Sequence, residues 1–62
     1  MVMNLKTFKE VYERAFELKH RPNANIIYYD GYCDGIRMSA ARILSVTQHE
    51  KFVKFKDALE ES

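Results

Sequence analysis

The 62-residue chain has a single cysteine, a single proline, two glycines and no tryptophan. The lone cysteine, Cys33, excludes an internal disulfide framework and a zinc site built from cysteines. The longest uninterrupted apolar run, residues 26–29, has four residues, so the sequence predicts no transmembrane helix. The N-terminus has no basic segment followed by an apolar stretch, and we therefore expect neither a signal peptide nor a membrane partner.

The chain also lacks a dominant charge of one sign. Ten basic and nine acidic residues give a formal net charge of +1. Nucleic-acid-binding domains usually carry a basic stripe, and no run of like charge here exceeds two residues. The length fits one domain over residues 1–62 and excludes large catalytic and nucleotide-binding folds. These limits leave a small α or α+β domain, which we expect in the cytoplasm.

Asn4–Lys19 is predicted to form an amphipathic helix, because its apolar residues recur at helical spacing. These residues are Leu5, Phe8, Val11, Tyr12, Ala15 and Phe16. Thr7 and Glu10 match a capping box, and Asn4 with Thr7 is a second candidate for the cap. Pro22 disfavours a helical conformation at the residue before it, so we expect the helix to stop there.

A second amphipathic helix is predicted over Thr47–Glu61. Thr47 and Glu50 match a capping box at its start. Its apolar stripe consists of Phe52, Val53, Phe55 and Leu59. The two terminal helices account for about half of the chain and leave a short central segment between them.

The centre of the chain is predicted to hold β-structure. Asn25–Asp30 favours a strand, since its β-branched and aromatic residues are continuous. The pairs Asp30-Gly31 and Asp34-Gly35 are typical of tight hairpin turns and predict an ordered loop. Ile36–Val46 fits one short helix slightly better than a second strand with a bulge. The expected fold class is therefore α+β, with a short central strand or hairpin between two terminal helices.

The aspartate–glycine loop is also the predicted partner-binding site. Three of the four tyrosines cluster beside it, and tyrosine is enriched at the energetic centres of protein interfaces. Tyr32 lies within the loop itself. Turn chemistry alone also accounts for the aspartates, so this alternative stays open. The expected contact residues are Asp30, Tyr32, Asp34 and Arg37.

The sequence shows no set of residues that catalysis would need. His20 and His49 stand alone in different segments, without a second ligand at metal-binding spacing. Cys33 has no flanking base and is predicted to be an unreactive thiol. We therefore expect a protein that is not an enzyme and that needs neither a metal nor a cofactor.

The expected function is that of a small interaction protein. Its size suits a regulator or inhibitor of a larger protein or nucleoprotein complex, of the kind that phages and mobile elements encode. A chain of this length buries a small core, which also predicts self-association, for example as a homodimer.

One central segment resembles a known catalytic motif. The stretch YYDGYCDGIRMSAARIL resembles the first motif of DHH-type phosphoesterases, in which a strand ends in metal-binding aspartates before a helix. Asp34-Gly35 and Ser39-Ala40-Ala41 match that motif. Tyr32 stands where the family has a further acid, and the rest of such a fold does not fit in the remaining chain. The resemblance is therefore limited to a loop, and it implies no activity here.

Residues 40–55 carry a second resemblance. The stretch AARILSVTQHEKFVKF is similar to helix-turn-helix DNA-binding segments, with Ser45-Val46 as the turn. Ser45 replaces the family's turn glycine, and Lys51 and Lys54 occupy two positions that are apolar in the family. On this resemblance the residues expected to face the major groove are Gln48, His49 and Lys51. A DNA-binding regulator is accordingly the alternative function, and DNA the less favoured partner.

Overall fold

A computed structural model describes residues 4–61, which form three α-helices. They are α1 (Leu5–Lys19), α2 (Ile26–Ile43) and α3 (Val46–Glu61). Helix α1 packs against both other helices, whereas α2 and α3 make few contacts with each other. None of these helices has an apolar stretch long enough to cross a lipid bilayer.

The predicted α+β fold class is wrong, because residues 26–43 form one continuous helix and residues 4–61 contain no strand. The apolar run at the start of α2 is too short to distinguish a strand from a buried helix. The pattern over the whole of residues 26–43 indicates a helix, since the buried residues Cys33, Ile36 and Ala40 recur at helical spacing. The Asn25 side chain caps the helix by accepting a hydrogen bond from the Tyr28 N–H at 3.1 Å.

The predicted loop and hairpin over residues 30–35 are also wrong, because both glycines continue the helix. Neither Gly31 nor Gly35 has a positive φ, and a Cβ at either would meet nothing within 4 Å. Ile36–Val46 was expected as a separate short helix or strand, and most of it extends α2 instead. The chain reverses direction after Pro22, where Asn23 adopts a φ of 64°.

Both terminal helices are confirmed, with different caps from those favoured by the sequence. The Asn4 side chain accepts a hydrogen bond from the Thr7 N–H at 3.0 Å, so Asn4 is the cap of α1. Helix α3 begins at Val46, one residue earlier than predicted. Its first turn is capped by Ser45, whose Oγ accepts from the Gln48 N–H at 3.3 Å.

The core is small and centred on α1. Its buried members are Phe8, Tyr12, Ala15, Cys33, Ile36, Ala40, Leu44 and Phe52. Phe52 of α3 meets the rings of Phe8 and Tyr12 edge-on, with centroids 6.2 and 5.7 Å apart. The Tyr12 hydroxyl donates a hydrogen bond of 2.9 Å to Glu60 Oε1, which ties α1 to the end of α3.

Candidate functional site

Helix α2 carries most of the large apolar side chains that the fold leaves exposed. Among residues 4–61, six of the seven are on this helix, and the seventh is Val46 at the start of α3. The six are Ile26, Ile27, Tyr28, Tyr32, Met38 and Ile43. Scattered exposed apolar residues are normal on a monomer, but their concentration on one element indicates an interaction surface.

One side of α2, the outer face, consists of Ile27, Asp34 and Met38. Their spacing of seven and four residues places them within about 40° of one another around the helix axis. Ile27 is 86% exposed and Met38 is 55% exposed. Exposed Asp30 and Arg37 lie along one edge of this face. The outer face therefore combines apolar side chains with a charged border.

A second side of α2, the groove face, consists of Tyr28, Tyr32, Gly35, Ser39 and Ile43. At 3.6 residues per turn these five positions lie within about 80° of one another. The rings of Tyr28 and Tyr32 are neighbours, with centroids 6.5 Å apart. The groove face runs beside α1 without being covered by it.

Two depressions mark the junction between the groove face and α1. One has a volume of about 450 Å³ and is lined by three tyrosines of α2 and by α1 residues that include Val11. The other has a volume of about 330 Å³ and is lined by Phe8, Gly35 and Ser39 among others. Val11 and Tyr32 line both, so the two depressions adjoin and form one shallow groove.

The four residues expected to contact a partner do not share one loop. Tyr32 lies about 140–160° around the helix axis from the other three, so it belongs to the groove face. Asp30 forms an ion pair with Lys19 of α1, and Asp34 lies 3.5 Å from Arg37 in an exposed pair. The structure therefore divides the predicted site between two sides of α2, with the three charged residues at the outer face.

The residues expected to face DNA lie in the first two turns of α3. Gln48 and Lys51 are exposed and share one side of the helix, whereas His49 is half-buried. Helices α2 and α3 are joined by a short turn at residues 44–45, as a helix-turn-helix segment requires. However, these two helices pack mainly against α1.

Two titratable residues, Cys33 and Tyr12, are buried in the core. They belong neither to the outer face nor to the groove face. Burial raises the pKa of the Cys33 thiol, and nearby Asp30, Asp34 and Glu60 raise it further against the opposing effect of Lys19. Burial and the hydrogen bond to Glu60 raise the pKa of Tyr12 well above its ordinary value. Both groups are neutral at physiological pH, and a neutral buried thiol is a poor nucleophile.

The apolar residues of the outer face were not among the predicted site residues. Ile27 was assigned to a buried strand, and Met38 lay in the segment of ambiguous structure. Their spacing of eleven residues would have aligned them on one side had residues 26–43 been treated as a single helix.

Within residues 4–61, no three His, Cys, Asp or Glu side chains come close enough together to hold a metal ion. Comparison of the chain with protein-family models, with curated proteins and with solved structures finds no match.

Proposed function

We propose that this chain is a small, non-enzymatic interaction protein that binds a larger protein through the outer face of α2. The observation that carries the proposal is the alignment of Ile27 and Met38 on one exposed side of a helix. Removing an isoleucine from water contributes about 1.5–3 kcal/mol, and the fold leaves 86% of Ile27 in water. Ile27 and Met38 lie about 16.5 Å apart along the helix with Asp34 between them, so the face offers a partner two apolar contacts and a charged one.

The charged residues of the outer face are suited to orienting a bound partner through ion pairs. Asp34 and Arg37 pair with each other at 3.5 Å, and both remain mostly exposed. Exposed pairs of this kind contribute little to stability, so both groups can exchange partners at an interface at small cost. Charged residues at an interface rim mainly set specificity and the association rate.

The class of function is a regulator or inhibitor of a larger protein or nucleoprotein complex in the cytoplasm. A regulator or inhibitor of this kind acts by occupying a surface of its partner, as phage-encoded modulators do.

The test begins with the tagged chain as bait in an extract of the organism that encodes it, followed by calorimetry with the captured protein. We expect Ile27→Gln to raise the Kd at least tenfold, since a hot-spot side chain contributes more than about 1.4 kcal/mol. Val46→Gln is the matched control, because Val46 is also apolar and 79% exposed but lies on α3. Equal effects of the two substitutions, or an unchanged Kd with Ile27→Gln, would contradict the assignment.

DNA binding through α3 is the second candidate, and the observation in its favour is that Gln48 and Lys51 are exposed on one side of the first turns. A regulator of this kind would bind duplex DNA with an affinity that falls steeply with salt. Mobility shifts at about 50 mM salt with wild-type protein and with Lys51→Gln test it. No shift of the duplex by the wild-type chain would exclude this candidate.

A further inference from the structure

The groove face of α2 has two unlike halves. Its N-terminal half carries the large side chains of Tyr28 and Tyr32, which are 60% and 48% exposed. Its C-terminal half carries Gly35 and Ser39, and the stripe ends at Ile43, which is 57% exposed. A helix lying antiparallel on this stripe would meet two tyrosines at one end, the small residues Gly35 and Ser39 next, and the apolar Ile43 at the far end.

We propose that the groove face is the docking site for a second copy of this chain, with the two α2 helices antiparallel. A two-fold axis near Gly35 would place Tyr32 beside Ser39 of the partner subunit and Tyr28 beside Ile43 of the partner subunit. Each Tyr32 then packs on the small side chain of Ser39, and each Tyr28 makes an apolar contact with Ile43. This is the self-complementarity that an interface between two identical subunits requires.

The charges on α2 are arranged so that two copies can approach. The groove face contains no Asp, Glu, Lys, Arg or His, and its nearest charged neighbour on α2 is Arg42 at the C-terminal end. Asp30, Asp34 and Arg37 all lie toward the opposite side of the helix. Two copies therefore meet without burying like charges, and a formal net charge of +1 per chain adds little repulsion.

The border of the groove on α1 also suits a second copy. Arg14 lines the groove, and the adjoining exposed surface of α1 is of mixed sign, with Arg21 and the three acids Glu10, Glu13 and Glu17. A border of one sign would select a partner of the opposite sign. A border of mixed sign can pair acid with base across identical subunits.

Gly35 supplies the last observation. A glycine inside a helix is unfavourable relative to alanine, and nothing within 4 Å of the Gly35 Cβ position requires it in the monomer. A glycine on the groove face lets the backbone of a second helix come close. Its place midway along the stripe matches the position of the proposed two-fold axis.

Sedimentation equilibrium over a range of concentrations tests the proposal with three variants. We expect wild-type chains to dimerise, and Tyr32→Gln to raise the dimer Kd at least tenfold. Met38→Gln is the matched control, since it removes a side chain of similar exposure from the outer face, and its Kd should stay within twofold of wild type. Gly35→Gln should raise the Kd at least tenfold while making the monomer more stable, which separates loss of docking from loss of folding.

Three results would overturn the proposal. The first is a wild-type chain that stays monomeric up to about 1 mM. The second is a dimer Kd that Met38→Gln raises as much as Tyr32→Gln does. The third is a Gly35→Gln variant that dimerises like the wild type. None of them bears on the larger partner, because the outer face is tested separately with Ile27→Gln.

Disulfide cross-linking tests the antiparallel orientation. In a Cys33→Ala background, Tyr28→Cys and Ile43→Cys chains should cross-link efficiently when mixed and poorly when each is alone. Efficient cross-linking of each variant with itself would instead indicate parallel helices and would overturn the proposed arrangement.

Discussion

Helices α1 and α2 are of similar length, but packing within the monomer accounts for the sequence of α1 much better than for that of α2. Helix α1 directs its large apolar residues toward the core and presents charged residues to solvent, so its sequence is accounted for by folding alone. Helix α2 buries only Cys33, Ile36 and Ala40 and leaves six large apolar side chains exposed. The difference supports the proposal that α2 carries a surface for contacts outside the monomer.

The largest expected effect is the loss of stability when a core residue of α1 is truncated, compared with truncation of an exposed residue of α2. Phe8 is 1% exposed, and Phe8→Ala should lower the free energy of unfolding by about 3–5 kcal/mol. Tyr28→Ala should change it by less than about 1 kcal/mol when measured on dilute, monomeric protein.

Urea titration followed by circular dichroism gives both values. Cys33 offers a second probe in the same samples, because its buried thiol should react with a thiol reagent only on unfolding. A loss for Tyr28→Ala as large as that for Phe8→Ala would remove the distinction between the two helices.

The next effect is a gain in stability at Gly31. A Cβ at this position meets nothing within 4 Å, and the backbone has no positive φ. Gly31→Ala should therefore raise the free energy of unfolding by up to about 1 kcal/mol through better helix propensity. A destabilising result in the same urea titration would show that α2 does not continue as a helix through the aspartate–glycine pairs.

The smallest effect is a decline in stability at alkaline pH. Folding raises the pKa of both Cys33 and Tyr12, so the unfolded chain releases these protons at a lower pH than the folded chain does. Stability is therefore complete below about pH 8 and falls as the pH rises through about 9 and 10. Lys19 acts in the same direction, since its hydrogen bond to Asp30 raises its pKa.

Urea midpoints measured between neutral and alkaline pH give this decline. Tyr12→Phe and Cys33→Ala should each make this decline shallower, because each removes one group whose pKa is raised by folding. A slope unchanged in both variants would contradict the assigned linkage.

The terminal helices were predictable because their apolar residues are large and recur at helical spacing. Helix α2 was not, because two of its three buried residues are Cys33 and Ala40, which give a weak periodic signal. The local signals were stronger, since a continuous apolar run favours a strand and Asp-Gly pairs favour turns. Asn25 could have indicated the helix start, because asparagine is a favoured N-cap.

The candidate site was predictable in part. The sequence identified Tyr32 and the charged residues near it from residue type alone, which does not depend on the backbone. It could not divide them between two sides of a helix, because that division follows only from the helical angle between positions. Ile27 and Met38 were missed for the same reason.

The most direct test of α2 as a helix with an interface on it is a series of backbone NMR spectra recorded at increasing protein concentration. We expect helical chemical shifts throughout residues 26–43, and concentration-dependent changes centred on Tyr28, Tyr32 and Gly35. The amides of Ile27 and Met38 should change much less. Non-helical shifts over residues 30–35, or spectra that do not change with concentration, would contradict the account.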